Sequence, residues 1–155
     1  MLHVEQFACA GLNFGYFYDR SPLIEYDGEP APAYTMADYT PSTVPGCRLP
    51  HFWLKNGRPL YDIMGEDYVL LRLRSDVDVS GLIESAARAA MPFQVLDLHE
   101  EDPPEAYRHA LVLARPDRHV AWRGNRLPDD LDRLVLKLCG RERSPWSTAS
   151  QLVLA

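Results

Sequence analysis

Residues 68–98 read YVLLRLRSDVDVSGLIESAARAAMPFQVLDL. Tyr68–Leu73 is an apolar run of buried-strand length, and Phe93–Leu98 is a second. Between them Leu82, Ile83, Ala86, Ala87 and Ala90 fall on one face of a helix, which Asp78 or Ser80 caps and Pro92 ends. Two strands with room for a single helix between them make a βαβ unit, and therefore a parallel pair.

Downstream, His99-Glu100-Glu101-Asp102 leads into a short helical stretch near Pro104–Arg108. Ala110–Ala114, a turn at Arg115-Pro116-Asp117 and His119–Arg123 follow as a hairpin. Simple alternation points Val120 and Trp122 into the core and turns His119, Ala121 and Arg123 to solvent. A final helix starts near Pro128 with Asp129 and Asp130 at its positive end, buries Leu131, Leu134, Val135 and Leu138, and stops at Gly140. The order over 67–140 is β-α-β-(α)-β-β-α, the thioredoxin-like arrangement of a mixed four-stranded sheet with helices on its faces.

Upstream the composition changes. Residues 12–59 hold nine of the sixteen aromatic residues and seven of the thirteen prolines. Proline at that density blocks long helices and interior strands. A long extended segment is expected, with short strands at Leu12–Tyr18 and His51–Leu54, a tight turn at Asn56-Gly57 and a helical turn at Tyr61–Met64. Rings this numerous need a surface to lie on. The chain thus divides into an aromatic and proline-rich segment over 1–65, packing on its own domain or on a further body, an α/β domain over 66–143, and a tail over 144–155.

Several kinds of chemistry are excluded or disfavoured. The 155 residues carry a net charge of −6, a poor match to a phosphate backbone, so no nucleic-acid partner is expected. No apolar run reaches membrane-spanning length, and the N-terminus lacks a basic stretch ahead of an apolar core, so no membrane or signal segment is expected and the setting is cytoplasmic. Cys9, Cys47 and Cys139 form no Cys-x-x-Cys. Arg74–Gly81, where a working thioredoxin holds its nucleophilic thiol, has no cysteine and two aspartates. The five histidines show no metal-binding spacing. Neither a Gly-x-Gly-x-x-Gly nor a Walker loop is present. A redox role for Cys47, with Arg48 lowering its pKa, is disfavoured because no resolving cysteine is evident.

Three ordered blocks carry a resemblance: GLNFGYFYDRSPLI at 11–24, YTPSTVPGCRLPHFWLKNGRPLYDIMG at 39–65, and LVLARPDRHVAWRG at 111–124. Together they resemble the C-terminal domain of the FAD-dependent aromatic-ring hydroxylases, the phenol hydroxylase-like flavoprotein monooxygenases. The resemblance implies a thioredoxin-like tail of enzymes that hydroxylate phenolic rings with NAD(P)H and oxygen. It implies that FAD, NAD(P)H and the catalytic residues belong to other domains, leaving no catalytic, cofactor-binding or metal-binding residue in this chain. The partners it implies are the FAD and substrate domains, or a second copy in a homo-oligomer. Tyr16, Tyr18, Pro22, Arg48, Pro50, His51 and Trp53 are the residues it places at a domain interface. A competing expectation is a free-standing, redox-inactive binding module using the 12–54 loop.

Overall fold

The computed structural model describes residues 9–142; residues 1–8 and 143–155, including the expected tail, lie outside the described residues. The elements are α1 Ala10–Phe14, α2 Leu60–Ile63, β1 Tyr68–Arg72, α3 Ser80–Arg88, β2 Phe93–Asp97, β3 Leu111–Ala114, β4 Val120–Gly124 and α4 Leu131–Leu138. The strands form one mixed sheet in the order β2-β1-β3-β4. β1 and β2 are parallel, with Leu70 opposite Val95; β3 is antiparallel to both β1 and β4. The βαβ unit and the hairpin combine as expected.

The two faces of this sheet are covered differently. On one, Leu70, Leu111, Leu113 and Trp122 pack under α3 and α4 through Leu82, Ala86, Leu134, Val135 and Leu138. Asp78 accepts the Ser80 N–H at 2.9 Å at the start of α3, and Asp130 accepts the Arg133 N–H at 2.9 Å at the start of α4. The buried stripe of α3 is Leu82, Ser85 and Ala86. The expected face differs: Ile83 and Ala87 are exposed, and Ala90 lies beyond the helix with φ 50°.

On the other face no long helix is available. Val69, Leu71, Val112, Ala114 and Val120 are instead covered by Leu49, Phe52, Leu54, Leu60, Met64 and Tyr107. Residues 51–60 manage this without a ladder of strand length. Leu54 N–H bonds Arg58 O, Leu60 N–H bonds Phe52 O, and Gly57 N–H closes the Asn56-Gly57 turn on Leu54 O. Phe52 and Leu54 point in while His51 and Trp53 point out, so the strand-like alternation survives in an irregular hairpin.

The free edge of β4 is closed by the same segment. Val120 N–H bonds Cys47 O, Gly46 N–H bonds Val120 O, and Tyr18 N–H bonds Gly46 O. A row of unpaired strand groups is thereby capped within the chain. Gly46 has φ +98°, and a Cβ there would meet Tyr18 O at 2.1 Å, so this close approach excludes any side chain.

Three local expectations are corrected. Leu12–Tyr18 is not a strand: Ala10–Phe14 is helical, with Gly11 against the Thr35 and Asp38 carbonyls and Leu12 N–H bonded to Met36 O. Tertiary contact, available only to a residue without a side chain at position 11, decides that conformation. The stretch near Pro104–Arg108 is a single turn, Tyr107 N–H to Pro104 O at 2.9 Å, not a helix. Tyr107 is drawn into the second core, where its hydroxyl donates to Pro50 O, and the chain passes directly on to β3.

The third correction concerns the hairpin. Leu113 faces Trp122 but Ala114 faces Val120, so Ala121 is the extra residue of a bulge. Val120 and Trp122 therefore lie on opposite faces, and Ala121 packs with Trp122. His119 and Arg123 are buried as well, because residues 16–48 cover what strand alternation alone leaves in water. Trp122→Ala is expected to lower stability by about 3–5 kcal/mol, as a large core truncation, with an unchanged m-value in urea denaturation.

Candidate functional site

Most of the residues singled out from sequence converge on one surface. The Trp53 and His51 rings meet edge-on with centroids 5.5 Å apart, and His51 meets Tyr61 in the same way at 5.1 Å. The Arg48 guanidinium carbon lies 5.7 Å from the Tyr61 ring centroid and 5.8 Å from that of Phe14. Across the bridge between Arg48 and His119, the row continues through Tyr18, 4.7 Å from His119, to Tyr16, 5.4 Å from Tyr18.

The outer rings of this row are open to solvent: Phe14 is 47 % exposed, Tyr16 58 % and Trp53 68 %. Their bases are fixed. The Tyr61 hydroxyl donates to Leu49 O, and Arg118 donates to the Tyr61 and Gly65 carbonyls. Two predicted residues stand apart. Pro50 is buried, with its carbonyl held by Tyr107, and Pro22 is exposed outside the row of ring contacts. Phe14, Tyr61 and Arg118 complete the surface and the buried His119 links its two ends; none of the four was expected at the interface, and the alternation of ring and basic residues in both blocks was the available signal.

Beneath one end of the row, the charges are internally matched. Asp117 is pushed up by burial, but the hydrogen bond from His119 and the Arg115 charge outweigh this and bring it down to about 2. Arg115 donates to Asp117 at 2.9 Å and lies over the Tyr18 ring. Arg48, by contrast, has rings and no carboxylate among its partners in the described residues.

Sequence reading missed a second charged cluster. Arg123, its side chain 1 % exposed, donates to Asp27 at 2.7 Å and to Glu29, with the Thr43 hydroxyl at 3.4 Å. Burial raises Asp27, yet the bond from Arg123 holds it below the ordinary carboxylate range. The period-two carboxylates Glu25, Asp27 and Glu29 were the visible sign of it.

Cys47 is buried, and burial pushes its thiol up despite a hydrogen bond from Ser42 and the charge of Arg123. A thiol raised in this way is a poor nucleophile. Among the described residues no group of three or more His, Cys, Asp or Glu is placed to hold a metal, and no helix is long and apolar enough to cross a membrane.

The family model for the C-terminal domain of aromatic-ring hydroxylases matches residues 42–141, which takes in both the 49–64 cover and the whole sheet. The chain belongs to this family. The domain is 31 % identical over 140 residues to the FAD-dependent monooxygenase apdD of Emericella nidulans, covering 84 % of this chain and 22 % of that protein. It is 28 % identical over 144 residues to phenol 2-monooxygenase of Pseudomonas sp. strain EST1001, covering 81 % and 24 %. Among solved structures, RebC with bound 7-carboxy-K252c superposes with a TM-score of 0.74 at 34 % identity, covering 88 % of this chain and 26 % of RebC. The flavin-dependent monooxygenase PieE, in complex with FAD and substrate, gives 0.66 at 26 % identity, covering 86 % and 27 %. The chain thus spans about a quarter of the length of these relatives.

The turn from β1 to α3 does not fit the pyrophosphate of a flavin dinucleotide. Dinucleotide sites place a pyrophosphate on a glycine-rich turn at a helix N-terminus. Here the turn from β1 to α3 carries Asp76 and Asp78, and the Asp78 carboxylate already accepts the Ser80 N–H and hydroxyl. A second anion is repelled from that position.

The exposed row makes a separable prediction. Trp53→Ala is expected to change the stability of the chain by less than about 0.5 kcal/mol, as a surface substitution. A urea-denaturation loss as large as that of Trp122→Ala would make the row part of the fold and not a free surface.

Proposed function

We propose that this domain is the non-catalytic C-terminal part of an FAD- and NAD(P)H-dependent phenol-type monooxygenase, and that its role is to pack against the flavin- and substrate-bearing domains. The observation that carries the reading is the exposed row from Trp53 to Tyr16. Both faces of the sheet and the β4 edge are already covered from within the chain, yet large rings are held outward on a fixed base. Apolar patches of that kind mark interaction surfaces. Relatives about four times as long offer the body for it to meet. Tyr16, Tyr18, Arg48, His51 and Trp53 are then interface residues, Pro50 supports them from below, and Pro22 flanks them.

In this role the chain supplies no reacting group. The flavin, when bound by the other domains, supplies the oxygen chemistry, and this domain holds one side of their surface. Arg48, ringed by Phe14 and Tyr61, suits a carboxylate or carbonyl on the opposing surface. Oligomerisation through the same row is the variant in which the second body is another copy.

Titration of the purified chain with FAD tests the assignment. No stoichiometric flavin binding and no FAD-dependent NADPH oxidation are expected. Stoichiometric binding would place the cofactor site within this chain and end the proposal.

A further inference from the structure

Residues 19–31 form a strap that crosses β4 and α4, and its polar ties are mostly ionic. Among the described residues they are five ion pairs, the Glu25 N–H bonded to Ala121 O at 2.8 Å and the Tyr26 hydroxyl bonded to Tyr18 O. Glu25 reaches Arg133 and Lys137 of α4, Asp27 reaches Arg123 of β4, and Glu29 reaches Arg123 and Arg108. Gly28, at φ +85°, bends the chain between Asp27 and Glu29, and the three carboxylates at positions 25, 27 and 29 bond cations from separate elements. Between them the Tyr26 hydroxyl turns back onto the strap's own base, donating to Tyr18 O and accepting the Ser21 N–H.

The pairs are unequal. The Arg108–Glu29 pair lies at the surface and is open to salt screening, whereas the Glu25 pairs with Arg133 and Lys137 are partly buried and screened less. Arg123 is enclosed, its side chain 1 % exposed, between Asp27 and Glu29. Both of its carboxylates belong to the strap, so neutralising them leaves a buried charge without a counter-ion. None of residues 19–31 belongs to either apolar core, so lifting the strap bares that guanidinium without taking a member from either. Against lifting stand Ile24, fully buried, and the Glu25 N–H.

We propose that residues 19–31 are an ionic latch, held shut by Glu25, Asp27 and Glu29 and able to open locally without unfolding the sheet. An open strap uncovers Arg123, Lys137 and the Ala121 carbonyl on the β4 edge, and releases Arg108 and Arg133 from their carboxylates.

Native-state hydrogen exchange of the full chain tests this, comparing the amide of residue 25 with that of Leu71 in the central strand. In the Asp27→Asn/Glu29→Gln variant the residue-25 amide is expected to exchange about tenfold faster or more, with Leu71 unchanged, as for a local opening. In the unsubstituted chain, raising sodium chloride is expected to shift the same amide in the same direction and to leave Leu71 alone. An unchanged residue-25 amide in both experiments overturns the proposal. So does acceleration of both amides by a common factor, or loss of the variant's cooperative transition, because the strap would then belong to the global core.

Discussion

The sheet's second face is the constraint on which the rest of the structure depends. A four-stranded sheet whose β1, β3 and β4 are buried on both faces needs two apolar covers, and α3 and α4 provide one. Leu60 and Met64, with Leu49, Phe52 and Leu54, provide the other from a segment almost without regular structure. Fixing that cover fixes what precedes it. The chain at 46–48 is brought beside β4, Tyr18 is brought beside Gly46, and the strap is laid over Arg123. The outward rings follow as well, since burying Phe52 and Leu54 turns His51 and Trp53 the other way.

The regular half of this architecture was legible because its periods are local. β1, β2, α4 and the hairpin each announce themselves within a few residues, and the crossover rule then orders the strands. What escaped depended on distant contacts. Ala10–Phe14 is helical because Gly11 allows the 35–38 backbone against it, and position 11 does not display that by itself. The bulge at Ala121 breaks an alternation that looks unbroken in the sequence. Arg123 reads as a surface residue until the strap, about a hundred positions upstream, is laid over it.

The same division holds for the surface. Composition located the ring-rich blocks, and the resemblance named Tyr16, Tyr18, Arg48, His51 and Trp53, which the fold gathers into one row. Pro50 and Pro22 did not join it: Pro50's neighbours are interior, and Pro22 rides on the strap. Tyr61 and His119, which connect the row, belong to elements whose placement is set by the second core and the hairpin. A family signal spread over separated blocks is what a surface assembled in this way leaves in a sequence. The matched family unit begins at residue 42, ahead of the sheet and together with its cover.

If residues 44–64 are half of the core and not a linker, the sheet cannot stand without them. The direct test compares a chain of residues 9–142 with one of residues 66–142 by near-ultraviolet circular dichroism and urea denaturation. The longer chain is predicted to unfold in one cooperative transition, and the shorter to show none, with Val69, Leu71, Val112, Ala114 and Val120 left open on one face. A shorter chain with a cooperative transition and an unchanged aromatic spectrum would contradict the account.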